Sequence, residues 1–335
     1  MKRVVSSSAW SVGLSLGLSF GSSFITSALA LLVLLAAPVQ AGEALSDAAA
    51  ANWLQRMADA SRKLPYEGIF ILQQGDRIQT LRVENRPDGL HKDGRLVVLD
   101  GQPREVRCSG GESTTLATGP HGDRLEKRHS NRYFPDLLPE DAGELTNWYS
   151  VRLGETVRVG GQACRQVELA PRDQYRWGYV LCADLSTNLP LRAVMVNGKG
   201  QPLMQYSFVN IRQGTARPTA GKPPASRPAQ TTKPTESGAV TFSHLPPGFS
   251  HVATTLRKLP NRDGEVEHWV FSDGLAHISL FVEPAPPSKA INIKGESPRG
   301  MINLLSRRVG DRQVTVLGEA PWPAVEFIAM GLSGK

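Results

Sequence analysis

Residues 164–195 read CRQVELAPRDQYRWGYVLCADLSTNLPLRAVM. Apolar and polar residues alternate up to Pro171, a polar turn follows near Asp173, and alternation resumes to Asp184. It breaks at Ser186-Thr187-Asn188 and returns in LPLRAVM. A period of two broken by turn residues spells antiparallel strands. Setting Leu169 opposite Trp177, Val167 opposite Tyr179 and Arg165 opposite Leu181 gathers the large apolar groups on one face. The same register sets Cys164 opposite Cys182 on the other face. We expect a Cys164–Cys182 disulfide, the alternative being two buried thiols; closing a loop of about 18 residues contributes roughly 3 kcal/mol. Cys108, in REVRCSGG, stands outside this pairing and reads as a strand thiol.

Working outward, the pattern persists. YEGIFILQQ and RIQTLRVEN flank a turn at Gly75-Asp76, and VRLGETVRV and PLMQYSFVNI show the same alternation. Short runs separated by turn signals indicate an antiparallel sheet rather than βαβ units. Before them, SDAAAANWLQRMADASRKL predicts a helix capped by Ser46 or Asp47, with Trp53, Leu54, Met57 and Leu64 on one face. YFPDLLPEDAGELTNWYS reads as a short helix or a long loop over one end.

Gly214 to Gly238 holds no aromatic and no large aliphatic residue, the composition of a Pro-stiffened linker. Beyond it, EVEHWVFSDGLAHISLFVEP predicts two strands around a Ser-Asp-Gly turn, RQVTVLGE a strand and PAVEFIAMGL a closing helix. At the other end, Lys2 and Arg3 precede the apolar run Ile25 to Ala37 and the small-residue site Val39-Gln40-Ala41, the pattern of a secretory signal peptide. The expected organisation is therefore residues 1–41 signal peptide, 42–213 first domain, 214–239 linker and 240–335 second domain. Cleavage lowers the formal charge from +7 to +5. The basic residues are scattered and lack a nucleic-acid motif, so a nucleic-acid partner is not expected.

Local signs of catalysis are missing. The seven histidines form no His-x3-His pair and no Cys/His cluster, so no metal and no cofactor are expected. GGEST and GESPRG lack the spacing of a serine-hydrolase elbow. What stands out is an apolar sheet side carrying Phe70, Leu72, Leu81, Trp177, Tyr179, Leu181, Tyr206 and Phe208. Two readings stay open: an ordinary core under the helix, or a curved half-barrel whose incompletely filled face takes up a lipid chain.

The run APRDQYRWGYVLCADLSTNLPLRAVMVNGKGQPLMQYSF, with LPPGF at 245–249, SDGLAHISLFVE at 272–283 and VTVLGEAPW at 314–322, resembles the RseB/MucB family of periplasmic regulators of envelope-stress sigma factors. The matches are in order over nearly the whole mature chain. In that family pattern a large aromatic takes the place of Cys182, so the disulfide is a departure. The resemblance implies an α+β protein: an N-terminal antiparallel half-barrel sheet covered by helices, as in LolA/LolB, plus a smaller C-terminal α+β domain. It also implies a non-enzymatic periplasmic regulator. Such a protein binds the periplasmic domain of a membrane-spanning anti-sigma factor (RseA/MucA-like) and protects it from proteolysis until lipid or lipopolysaccharide intervenes. A homo-oligomer is compatible with this, and a periplasmic lipid or lipoprotein carrier is the alternative. On this view Trp53, Leu54, Met57, Phe70, Leu72, Trp177 and Tyr179 line the lipid site, and Arg77, Arg82 and Arg86 stand at its rim. SDGLAHISLFVE is then the segment expected to meet the partner.

Overall fold

A computed structural model describes residues 43–87, 94–102, 104–109, 112–119, 122–129, 132–214, 240–257, 264–286, 292–296 and 301–334. The expected signal peptide and residues 215–239 of the expected linker lie outside the described residues. The body is rich in sheet, with two α-helices among the described residues.

The first sheet is open and antiparallel. Its strands are β1 (Glu43–Ala44), β2 (Tyr66–Gln74), β3 (Arg77–Asn85), β4 (Gly94–Val98), β5 (Arg104–Ser109), β6 (Glu112–Gly119), β7 (Gly122–His129), β8 (Tyr149–Val159), β9 (Gln162–Pro171), β10 (Gly178–Asp184), β11 (Pro190–Val196) and β12 (Pro202–Gln213). They stand in the order β1-β8-β9-β10-β11-β12-β2-β3-β4-β5-β6-β7. Sequential hairpins build both halves, and the pairing of β12 with β2 joins them.

Helix α1 (Asp47–Lys63) starts where Ser46 accepts a hydrogen bond from the Ala49 N–H, satisfying one of the orphan donors of the first turn. At the other end the Asn85 side chain donates to the carbonyls of Arg62 and Leu64 at 3.1 and 2.8 Å. Strand β3 therefore closes the helix that covers its sheet. Gln55 donates to the Glu140 carbonyl and accepts from the Ala142 N–H, tying α1 to the 3-10 turn Ala142–Asn147. Leu54 and Met57 are fully buried in one cluster with Phe70, Val151, Leu169, Leu181 and Phe208.

The register of β9 and β10 differs from the one drawn from the hairpin alone. Tyr179 lies opposite Leu169, Leu181 opposite Val167 and Ala183 opposite Arg165, a slide of two residues. Trp177 is not in the strand; it ends the turn before Gly178. The neighbouring strands decide the matter. Leu153, Val167, Leu181, Ala193 and Tyr206 form one directly opposed row across five strands, and a hairpin considered by itself carries no record of that row. A two-residue slide keeps every side chain on its own face, so only the partners change. Cys182 thus lies opposite Gln166 and Cys164 opposite Asp184. The Cys164–Cys182 disulfide runs on the diagonal, with Cα atoms 5.4 Å apart.

Asp184 closes the β10–β11 connection. Its Oδ1 accepts from the backbone and hydroxyl of both Ser186 and Thr187, at 2.6 to 3.0 Å. Burial alone would raise this carboxyl; the hydrogen bonds outweigh it and hold it below the usual carboxylate range. A carboxyl depressed in the fold contributes stability that is complete above its unfolded pKa and is lost as pH falls through the folded value. The stability gap between the wild type and Asp184→Asn is accordingly expected to be widest at pH 7 and to shrink towards pH 3. Denaturant midpoints across that range measure it, and a gap that grew with acidity would refute the assignment.

After residue 239 come β13 (Val240–Phe242), β14 (Ser250–Arg257), β15 (Val266–Ser272), β16 (His277–Pro284), β17 (Ile293–Glu296), β18 (Asn303–Val309), β19 (Arg312–Gly318), helix α2 (Trp322–Met330) and β20 (Leu332–Gly334). The second sheet runs β14-β15-β16-β19-β18-β17, and β13 pairs with β20. Val314, Val316, Ala324, Val325 and Ile328 are fully buried in the second core, where α2 packs on β18 and β19. The cores exchange residues. Leu275, Met301 and Ile302 pack against the first, and Tyr175 against the second.

Candidate functional site

The residues expected to line a lipid site do not share one environment. Leu54, Met57 and Phe70 are core, with almost no surface. The Phe70 ring meets Phe134, Tyr206 and Phe208 with centroids 5.1 to 6.1 Å apart, so the face below α1 is filled by the chain's own aromatics. Tyr179 is buried too, and burial pushes its hydroxyl well above the ordinary phenol range. Trp53 is half-buried, with the Arg56 guanidinium 4.9 Å above its ring, and Trp177 is half-buried in the turn. Of the seven, Leu72 lines open space.

That space is a groove of about 640 Å³ farther along the same face. Leu72, Leu81, Leu96, Val98 and Val106 form its wall. The register explains their convergence: Leu81 pairs with Val98, Val83 with Leu96, and Leu96 with Val106, so the inward side chains of three adjacent strands are neighbours. Exposed Arg77 and Arg104 line the groove as well. Asp100 also reaches it, with its carboxylate accepting the Thr80 N–H. An apolar wall beside guanidinium groups suits an amphiphile with an acyl chain and an acidic head.

The expected arginine rim is not a single feature. Arg82 lies one residue from Leu81 and so points to the other face of β3, where it borders a polar recess with Glu67 and Arg212. Arg86 pairs with Glu84 at 3.0 Å. Arg104 was missed because it is 27 positions of chain from Arg77, and only the pairing of β3, β4 and β5 brings both to one groove.

The turn of SDGLAH, in the segment expected to meet a partner, turns its aspartate inward while Gly274 and His277 border an open cleft. Asp273 is buried, and its Oδ2 lies 2.8 Å from Nε of Arg176, whose side chain is fully buried as well. Asp273 Oδ1 accepts the N–H groups of Leu275 and Ala276 at 2.9 and 2.7 Å. Arg176 also pairs with Asp173, donates to the Pro247 carbonyl, and lies 4.8 and 5.2 Å from the ring centroids of Trp148 and Phe249. Three motifs far apart in sequence, RWGY, LPPGF and SDGLAH, therefore meet at one guanidinium. Beside it a cleft of about 770 Å³ opens between the two sheets, bordered by Glu140, Glu144 and Trp148 on one side and Thr255, Val270 and His277 on the other.

No group of three or more metal-ligating side chains occurs among the described residues. Two of the histidine rings there are engaged within the fold: His268 meets Ser279 at 2.9 Å and stacks on Phe281, and His251 meets Thr254 at 2.8 Å. Among the described residues no helix is long and apolar enough to cross a membrane.

Two family models match the chain: the MucB/RseB N-terminal domain over residues 49–232 and the MucB/RseB C-terminal domain over residues 234–333. The chain belongs to the MucB/RseB family. It is 30% identical over 312 residues to the sigma factor AlgU regulatory protein MucB of Pseudomonas aeruginosa, covering 90% of this chain and 96% of MucB. It is 28% identical to the sigma-E factor regulatory protein RseB of Escherichia coli K12, covering 82% and 88% of the two chains. Among solved structures it matches the P. aeruginosa MucA/MucB complex, with TM-score 0.70, 28% identity, and coverage of 86% of this chain and 99% of that one. Crystalline MucB in complex with MucA(peri) matches with TM-score 0.69. The MucB/RseB relatives carry the names of regulatory proteins, not of enzymes.

Proposed function

We propose that this MucB/RseB family member is a periplasmic negative regulator of an envelope-stress sigma factor. It binds the periplasmic region of a membrane-spanning anti-sigma factor and protects it from proteolysis until lipid or lipopolysaccharide releases it. The supporting observation is the match, across both sheets, to MucB structures determined with MucA. In this reading residues 42–213 form a LolA/LolB-like lipid-sensing domain and residues 240–335 the domain that contacts the anti-sigma factor. The groove walled by Leu72, Leu81, Leu96 and Val98 takes the acyl chain, and Arg77 and Arg104 take the acidic head. Lipid and partner then oppose each other through a coupling free energy that acts equally in both directions.

The mature chain, used as bait in envelope extract, is expected to recover a single-span anti-sigma factor and to lose it when lipopolysaccharide is added. Val98→Asp puts a charge in the groove wall. It is expected to leave recovery intact and to raise the lipopolysaccharide needed for release about tenfold or more, the effect of roughly 1.4 kcal/mol of lost lipid affinity. Recovery of no anti-sigma factor, together with measured shuttling of lipoprotein between membranes, would favour the carrier instead.

A further inference from the structure

We propose that Arg176 is the pin of a releasable joint between the two sheets, and that the joint closes only when the charges of Arg176 and Asp273 are both present or both absent. Each sheet has a core of its own, so either can keep its fold when the two part. Apolar packing of Leu275, Met301 and Ile302 on the first core is joined by specific polar and ring contacts. Arg176 contributes from the β9–β10 turn and Asp273 from the β15–β16 turn. Around them Arg132 donates to the Gly274 carbonyl, and Tyr175 packs edge-on against Phe327 at 5.3 Å.

The pin is fitted closely. Gly248 sits at φ +79°, and a Cβ there would come within 2.4 Å of the Trp148 ring and 2.6 Å of an Arg176 nitrogen. The LPPGF loop is thus wrapped on the guanidinium with no room for a side chain. An ion pair this deeply buried adds little net attraction, because desolvation offsets most of the Coulomb gain. Removing one partner is different: without Arg176 the Asp273 carboxylate is stranded in the interior, and without the Asp273 charge the buried Arg176 is left with the part-exposed Asp173. Such a joint is specific in geometry yet close to balance, the property needed if a ligand is to open it. The cleft beside it is built from both sheets and exists only while the joint is closed.

The test uses the full mature chain and needs neither partner nor lipid, so it stands apart from the regulatory reading. Asp273→Asn keeps the Oδ1 acceptor of the turn and removes only the charge facing Arg176. Arg176→Met removes the other charge and keeps a flexible side chain against Trp148 and Phe249. Each single variant is expected to raise the radius of gyration in small-angle scattering and to split one calorimetric transition into two, with the β-sheet circular dichroism unchanged. Combining the two substitutions removes both charges and is expected to restore compaction and the single transition. Single-variant scattering that superimposes on the wild type would overturn the proposal, and so would a double variant as open as either single one. Should Arg176→Met fail to fold, Asp273→Asn decides alone.

Discussion

Replacing Phe70 by alanine is expected to lower stability by about 3–5 kcal/mol, the range for emptying a buried aromatic site. Phe70 occupies the pivot of the first sheet, directly opposite Phe208 on one side and Leu81 on the other. Phe134 and Tyr206 close over it and stack on each other with centroids 5.3 Å apart. Three rings from two segments then lose their common neighbour, and a cavity beneath α1 cannot be refilled by moving one of them. Denaturant midpoints measure the loss. The variant also separates the two readings of the apolar face. A core residue changes stability far more than lipid affinity; a wall residue of a lipid site does the reverse. A loss of less than about 1 kcal/mol, the ordinary effect of a point substitution, would return Phe70 to the lipid site.

Removing the disulfide is expected to have the next largest effect. With the cysteines 18 positions apart, Cys164→Ala/Cys182→Ala should lose about 3 kcal/mol, mainly by enlarging the unfolded ensemble. Both sulfurs belong to buried residues, so reductant should act on the wild type only through unfolding. Thiol titration in denaturant is expected to return one thiol per chain, from Cys108. Three thiols, or equal midpoints for the wild type and the double variant, would refute the contribution.

Much of the fold was legible because it rests on short-range rules. The cap at Ser46 needs one hydroxyl before a helical run, and the Asn197–Gln201 turn needs small polar residues between two alternating strands. The face of each β9 and β10 side chain follows from a period of two. The partner opposite each one does not, since a slide of two residues leaves that period intact. The register was settled by β8, β11 and β12, whose rows of apolar residues must align together.

The candidate site was less legible for the same reason. Composition marked an apolar face but could not say which part of it the chain would fill. Phe134, from the segment read as a short helix or a long loop, plugs the part under α1, and the open groove lies over β3, β4 and β5 instead. Arg176 looked like an ordinary polar position at the start of a strand. Its importance depends on Asp273, 97 residues later, and on a loop whose glycine leaves room for it.

By itself the sequence determined the kinds of element, the side of each strand that is apolar and the family, because periodicity and motif order are properties of neighbouring residues. The tertiary structure decided the register, the diagonal course of the disulfide, the position of the groove and the burial of one ion pair between the sheets. Those depend on distances between segments far apart in the chain, and free energies of burial and charge pairing are set by such distances rather than by order along the chain.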